Sequence, residues 1–214
     1  MPASVSHVFY YRTADKMAFF TRLSIKSSLL FACLLCLSIT AALAEGISTT
    51  RAQANITSNG QLSINTRFNT QLPDQLKQAL TQGVPLNFDL NYQLTAPTLA
   101  SYRNRINNLI GGDNLIQYKL AYHPLTNRYR VSMGSTFSTE YNSLDTALRA
   151  VGAVANWRVL SNGTLSGVSA NEVRADVRLS LSISQLPKPF QINALTSHSW
   201  QLDSGWHRLV INAD

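Results

Sequence analysis

Two runs of strict period-two alternation constrain the fold more than any other feature. Val84, Leu86, Phe88, Leu90, Tyr92 and Leu94 alternate with Pro85, Asn87, Asp89, Asn91, Gln93 and Thr95. Residues 172–186 do the same, with Val173, Ala175, Val177, Leu179, Leu181 and Ile183 against Arg174, Asp176, Arg178, Ser180, Ser182 and Ser184. Successive side chains of a strand point to opposite faces, so each run presents one apolar and one polar face. Shorter versions occur at Leu62/Ile64/Phe68, Ile116/Tyr118/Leu120/Tyr122 and Tyr129/Val131/Met133, with fragments at Trp157/Val159 and Leu209/Ile211. Clean alternation favours antiparallel sheets wetted on one face over buried parallel strands.

The turn chemistry agrees. Ser58-Asn59-Gly60 separates two runs as a hairpin would. His123-Pro124-Leu125-Thr126-Asn127 is a five-residue hairpin loop, and Ser161-Asn162-Gly163 with Ser166-Gly167 marks a longer one. Two segments switch to helical period. Leu72, Leu76, Ala79 and Leu80 share a face, with Pro73 in the first turn and Gly83 at the C′ position. In the second, Asn142 or Ser143 caps, Asp145 suits the N-terminal dipole, and Leu144, Ala147, Leu148, Val151 and Val154 make the stripe. Residues 98–112 read equally as helix or strand extension. The expected fold is mainly β: an antiparallel β-sandwich of eight or nine strands with two short helices. Its style is immunoglobulin-like, without the cysteines of antibody domains.

Residues 1–44 carry the marks of an export signal. Arg22 and Lys26 precede an apolar run of about a dozen residues, Leu29 to Thr40, and Ala42-Leu43-Ala44 supplies the small-residue cleavage pattern. Cleavage is expected between Ala44 and Glu45, and Met17 would start a signal of ordinary length. The run is short of the roughly 20 residues a spanning helix needs, which disfavours a retained anchor. A lipidation box at Cys33 is disfavoured too, because cutting there would leave apolar residues on the mature side. The expected product is a single periplasmic domain, residues 45–214, long enough to bury about two-thirds of its unfolded surface. Both cysteines, Cys33 and Cys36, fall in the removed segment, so the domain has no disulfide and no thiolate chemistry. Four of the 18 basic and one of the 11 acidic residues also fall there, leaving 14 against 10. This modest excess is spread along the chain, without a nucleic-acid-binding motif. It reads as solvated strand faces with weak attraction to anionic headgroups or cell wall.

No catalytic, metal or cofactor motif is present. His123, His198 and His207 lack zinc-site spacing. No G-x-S-x-G elbow exists, and Ser135 and Ser204 sit in ordinary turn contexts. Asp145, Glu140 and Asp176 have plain roles as cap, rim and solvated face. Trp157, Trp200 and Trp206 lie near strands, where Trp is most often core or core edge. The block 185–200 is the best candidate surface. Pro187 and Pro189 should stop the preceding strand. The block reads first as a rigid crossover that locks the two sheets together, with Phe190, Ile192 and Leu195 tying it to the core; the functional alternative is a partner-binding loop of Lys188, Phe190, Gln191 and Asn193.

Four stretches carry a family likeness: Gly83-Val84-Pro85-Leu86, the hairpin Tyr122 to Ser132, the helix followed by Trp157-Arg158-Val159, and Gln185 to Ser197 leading to Trp200. With the export signal they resemble DUF4390, a family of exported proteobacterial proteins whose function is not established. The resemblance implies no activity and no catalytic residues. It does imply a context, because genes of this family often neighbour one for a membrane sensor kinase of the nitrogen-regulation type. The leading expectation is a non-enzymatic interaction module acting on an inner-membrane partner such as a sensor kinase, with no cofactor. The alternatives are a carrier of a lipid-like ligand held between the sheets, and a small outer-membrane barrel.

Overall fold

A computed structural model describes residues 46–95 and 115–213. The expected signal, with Ala44 and Glu45, and the ambiguous stretch 98–112 lie outside the described residues. Strands β1 (Gly46–Ile56), β2 (Leu62–Gln71), β7 (Val154–Val159) and β10 (Val210–Ala213) form one sheet, in the order β10-β1-β2-β7. Strands β3 (Leu86–Thr95), β4 (Leu115–His123), β5 (Arg128–Met133), β6 (Phe137–Tyr141), β8 (Arg174–Leu181) and β9 (His207–Arg208) form a second, in the order β6-β5-β4-β3-β8-β9. Three α-helices are described: α1 (Asp74–Thr81), α2 (Leu144–Ala150) and α3 (Lys188–Thr196).

The alternating runs supply the core. On β3, Leu86, Phe88, Leu90, Tyr92 and Leu94 are all buried, and β8 buries Ala175, Val177, Leu179 and Leu181 beside them. Each such large side chain contributes about 1.5–3 kcal/mol of apolar burial. The four-stranded sheet adds Leu62, Ile64 and Phe68 from β2. The two sheets stack as a β-sandwich, and Gly152 shows how closely. It has φ +74°, and a Cβ placed on it would lie 2.7 Å from Leu179 of β8 and 2.8 Å from Phe68 of β2. Only glycine fits both the backbone and the space.

Local signals sit where the sequence places them. The β1–β2 hairpin closes with Gly60 N–H donating to the Thr57 carbonyl at 2.8 Å. Ser143 is the cap of α2, its Oγ accepting from Thr146 N–H at 3.3 Å. After α1, Gly83 N–H donates to Leu80 O and Val84 N–H to Ala79 O, both at 3.0 Å, which is a Schellman ending.

Several expectations are corrected. Among the described residues the strands number ten, not eight or nine, and a third α-helix is present. The β1–β10 pair is parallel, so the sandwich is not wholly antiparallel. The 172–186 run ends as a strand at Leu181, and Ile183 enters a 3-10 turn. Val154 opens β7 instead of extending the α2 stripe. The consecutive pairing of β3 through β6 is a meander, not the immunoglobulin strand order. Among the described residues both sheets have free edges, at β10 and β7 and at β6 and β9, so they close no barrel, against the expectation for an outer-membrane barrel. No described helix is long and apolar enough to cross a membrane.

Candidate functional site

The partner-binding segment is a helix, not a loop. Pro187 occupies the N-cap and Pro189 the first turn, where a missing N–H leaves no helix bond unmade. The prolines expected to stop the strand instead start α3, because β8 has already ended at Leu181. The Pro187 carbonyl accepts from Phe190 N–H at 2.9 Å and Gln191 N–H at 3.2 Å.

The four predicted residues divide between three surroundings. Lys188 opens the helix and is exposed. Gln191 turns inward, its Nε2 donating to the carbonyls of Ser184 at 2.9 Å and Leu186 at 2.7 Å, so it anchors the helix and is not free for a partner. Phe190 is half-buried with its ring 5.5 Å from that of Trp200. Phe190 and Asn193 both border a groove of about 360 Å³ between α1, α3 and the turn His198–Trp200. Its opposite side is made by Gln75, Gln78 and Gln82. Gln75 Oε1 accepts from Trp200 Nε1–H at 2.8 Å and Ser199 Oγ–H at 2.7 Å, joining α1 to the far end of the chain.

Ile192 and Leu195 are the clear departure from expectation. Both were expected in the core, yet they are 65% and 79% exposed. With Lys188 they occupy positions i, i+4 and i+7, one row along the solvent side of α3. Ala194, on the opposite side, is the only fully buried residue of the helix. Among the described residues the groove beside this row is lined by amides, hydroxyls and aromatic rings with Ala79, without an ionisable acid or base. Such a lining can hydrogen-bond a polypeptide backbone.

A family model matches residues 44–210, that of DUF4390, a domain of unknown function. The chain belongs to the DUF4390 family. The match spans α1, the groove and α3. The curated proteins and the solved structures compared with it gave no match.

The other candidate residues of this DUF4390 domain lie apart from the groove, each in its own surroundings. His207 Nε2 lies 2.6 Å from the Ser204 carbonyl oxygen. Ser204 Oγ accepts from Leu179 N–H at 2.9 Å and donates to the Gly205 carbonyl at 2.8 Å. Asp203 is bound by the Arg178 guanidinium, whose hydrogen bond holds its carboxyl below the usual range. Ser204, His207 and Asp203 are thus near in sequence without forming a relay. His123 ends β4 with Nε2 buried and unpartnered. Among the described residues no three His, Cys, Asp or Glu side chains gather at one point. Glu140 is drawn below its ordinary value by a hydrogen bond from Arg130 at 2.6 Å. Trp157 packs edge-on to Tyr92 at 5.2 Å, and Trp206 lies under the Arg178 guanidinium at 5.8 Å. A second cleft of about 280 Å³ lies by Tyr118, Val131, Met133, Phe137, Tyr141 and Ala153.

Proposed function

We propose that this DUF4390 domain is an exported, non-enzymatic interaction module that docks an inner-membrane partner through α3. One observation carries the reading: Ile192 and Leu195, 65% and 79% exposed, stand in one row with Lys188 on a helix fixed from behind. An apolar helix row beside a polar groove suits an amphipathic or extended segment of another protein, with Ile192 and Leu195 as anchors. Lys188 adds a cation at the row's start, which selects for an acidic neighbour on the partner. The export signal read at residues 17–44 and the family's gene context favour the periplasmic region of a sensor kinase as that partner. The test is the kinase's output in cells that carry the gene deletion, Ile192→Ser with Leu195→Ser, or Lys188→Glu. The proposal expects deletion and the double substitution to shift output alike, with the charge reversal in between. Unchanged output in the deletion strain under every stimulus tried would sink the sensor-kinase version.

A second reading has one observation in its favour. The cleft beside Tyr118, Val131 and Phe137 is largely apolar, and Phe137 is 64% exposed at its edge. A carrier of a small hydrophobic ligand would use this cleft, because the space between the sheets is filled by Phe68, Phe88, Leu90 and Leu179. Its 280 Å³ lies at the lower end of ligand pockets. Native mass spectrometry of protein purified without detergent would show a bound ligand if this reading holds; empty protein counts against it.

A further inference from the structure

The polar faces of the two sheets handle their arginines differently. On the six-stranded sheet and its connections, four of the five strand arginines have a carboxylate, and Arg174 at the start of β8 is the exception among the described residues. Arg128 and Arg130 meet Glu140, Arg178 meets Asp203, and Arg208 meets Asp176 at 3.3 Å. The four-stranded sheet contains no Asp or Glu in any strand. It carries three exposed arginines, Arg51 on β1, Arg67 on β2 and Arg158 on β7. None has a carboxylate partner among the described residues. Arg51 stands directly opposite Arg67 in the antiparallel register, and Arg158 faces Ser63 on the same side of β2. Like charges directly opposite each other on a sheet repel, so this pair opposes folding unless an anion lies over it.

We infer that the outer face of the four-stranded sheet docks on an anionic phospholipid membrane surface through Arg51, Arg67 and Arg158. Guanidinium forks match phosphate oxygens bidentately, and the face places three of them on one plane. The side chains between them are amides and hydroxyls, Gln53, Asn55, Ser63, Asn65 and Asn69. A protein interface would want an apolar centre, and Val210 is the only large apolar side chain exposed on these strands. No aromatic side chain stands between the arginines to stack on a base, which argues against single-stranded nucleic acid. A second copy of this face would bring like charges together. The face lies on a different sheet from the meander and depends on nothing proposed for α3.

The test is co-sedimentation of the full mature domain with vesicles of phosphatidylcholine containing 30% phosphatidylglycerol, against pure phosphatidylcholine. Two charge-matched double variants separate the face from net charge: Arg51→Gln with Arg67→Gln, and Lys119→Gln with Arg174→Gln on the other sheet. The expected result is binding to the anionic vesicles alone, weakened about 30-fold in the first variant and much less in the second. It should also fall steeply as salt rises. Equal weakening by both variants, or binding indifferent to lipid charge, would overturn the assignment. So would loss of vesicle binding to competing millimolar inorganic phosphate, which would make free phosphate the ligand. Binding to polyglutamate in place of vesicles would overturn it in favour of an acidic polypeptide. Thermal melts of both variants show whether either has failed to fold; if the first has, Arg51→Gln alone is measured.

Discussion

Helices α1 and α3 border the same groove and are nearly equal in length, yet they spend their apolar residues in opposite ways. α1 buries Leu76, Ala79 and Leu80 and shows solvent its glutamines and the Asp74–Lys77 ion pair. α3 buries Ala194, half-buries Phe190, and leaves Ile192 and Leu195 outside. Folding alone accounts for every apolar residue of α1. It does not account for the outer row of α3, which could be polar at no loss to the core. The difference separates residues that hold the domain together from residues available to something else.

The largest expected effect falls on the α1 side. Leu76→Ala should lower stability by about 2–5 kcal/mol, as a fully buried leucine truncated to alanine does, measured by urea unfolding. A loss under 1 kcal/mol would break the comparison at its firmer end. Alkali tests the same buried side. α1 packs on β4, whose Tyr118 is almost wholly buried and has its phenol pushed up by desolvation. Burial likewise pushes Tyr92 up to about 12. In the unfolded chain both would ionise near pH 10. Their neutral folded forms therefore contribute stability that is intact below that pH and lost as pH rises toward and beyond 12. Melting temperature should drop steeply across that window, and Tyr92→Phe should soften the drop. A flat profile would mean that the phenols are not sealed in.

Gln75→Ala acts on the junction between the two helices. It removes the acceptor of Trp200 Nε1–H and Ser199 Oγ–H. About 1–2 kcal/mol should be lost, with a change in Trp fluorescence that Leu195→Ser does not produce. The smallest effect is predicted on α3 itself. Ile192→Ser and Leu195→Ser should each leave stability within about 0.5 kcal/mol, read by the same urea titration. A cost like that of Leu76→Ala would place these side chains in the fold after all.

Much of this architecture was legible in the sequence, and the gaps have physical causes. β3 and β8 were readable because each has one face in the core, which writes the period of two into the residue types. β6 was not, because Phe137, Ser138, Thr139 and Glu140 are all exposed and no burial pattern marks the strand. β9 has only two residues. The parallel pairing of β1 with β10 joins the two ends of the domain, and no local signal encodes it. α3 was hidden twice. Its prolines read as strand breakers but start a helix well after the strand has ended, and its outward apolar row breaks the helical burial period. Within 185–200 two expected placements are reversed: Gln191 is tied inward, and Ile192 and Leu195 face out. The glutamines of α1 joined the site only through the contact of Gln75 with Trp200, 125 residues along the chain.

The claim that α3 is a docking face is tested most directly by placing a photo-crosslinking residue at position 192 or 195 in cells. The control position is Leu125, fully exposed in the β4–β5 loop. The account predicts one discrete adduct with an inner-membrane protein from both 192 and 195, and none from Leu125. A ladder of unspecific products from every position, or the same single adduct from Leu125 alone, would contradict it.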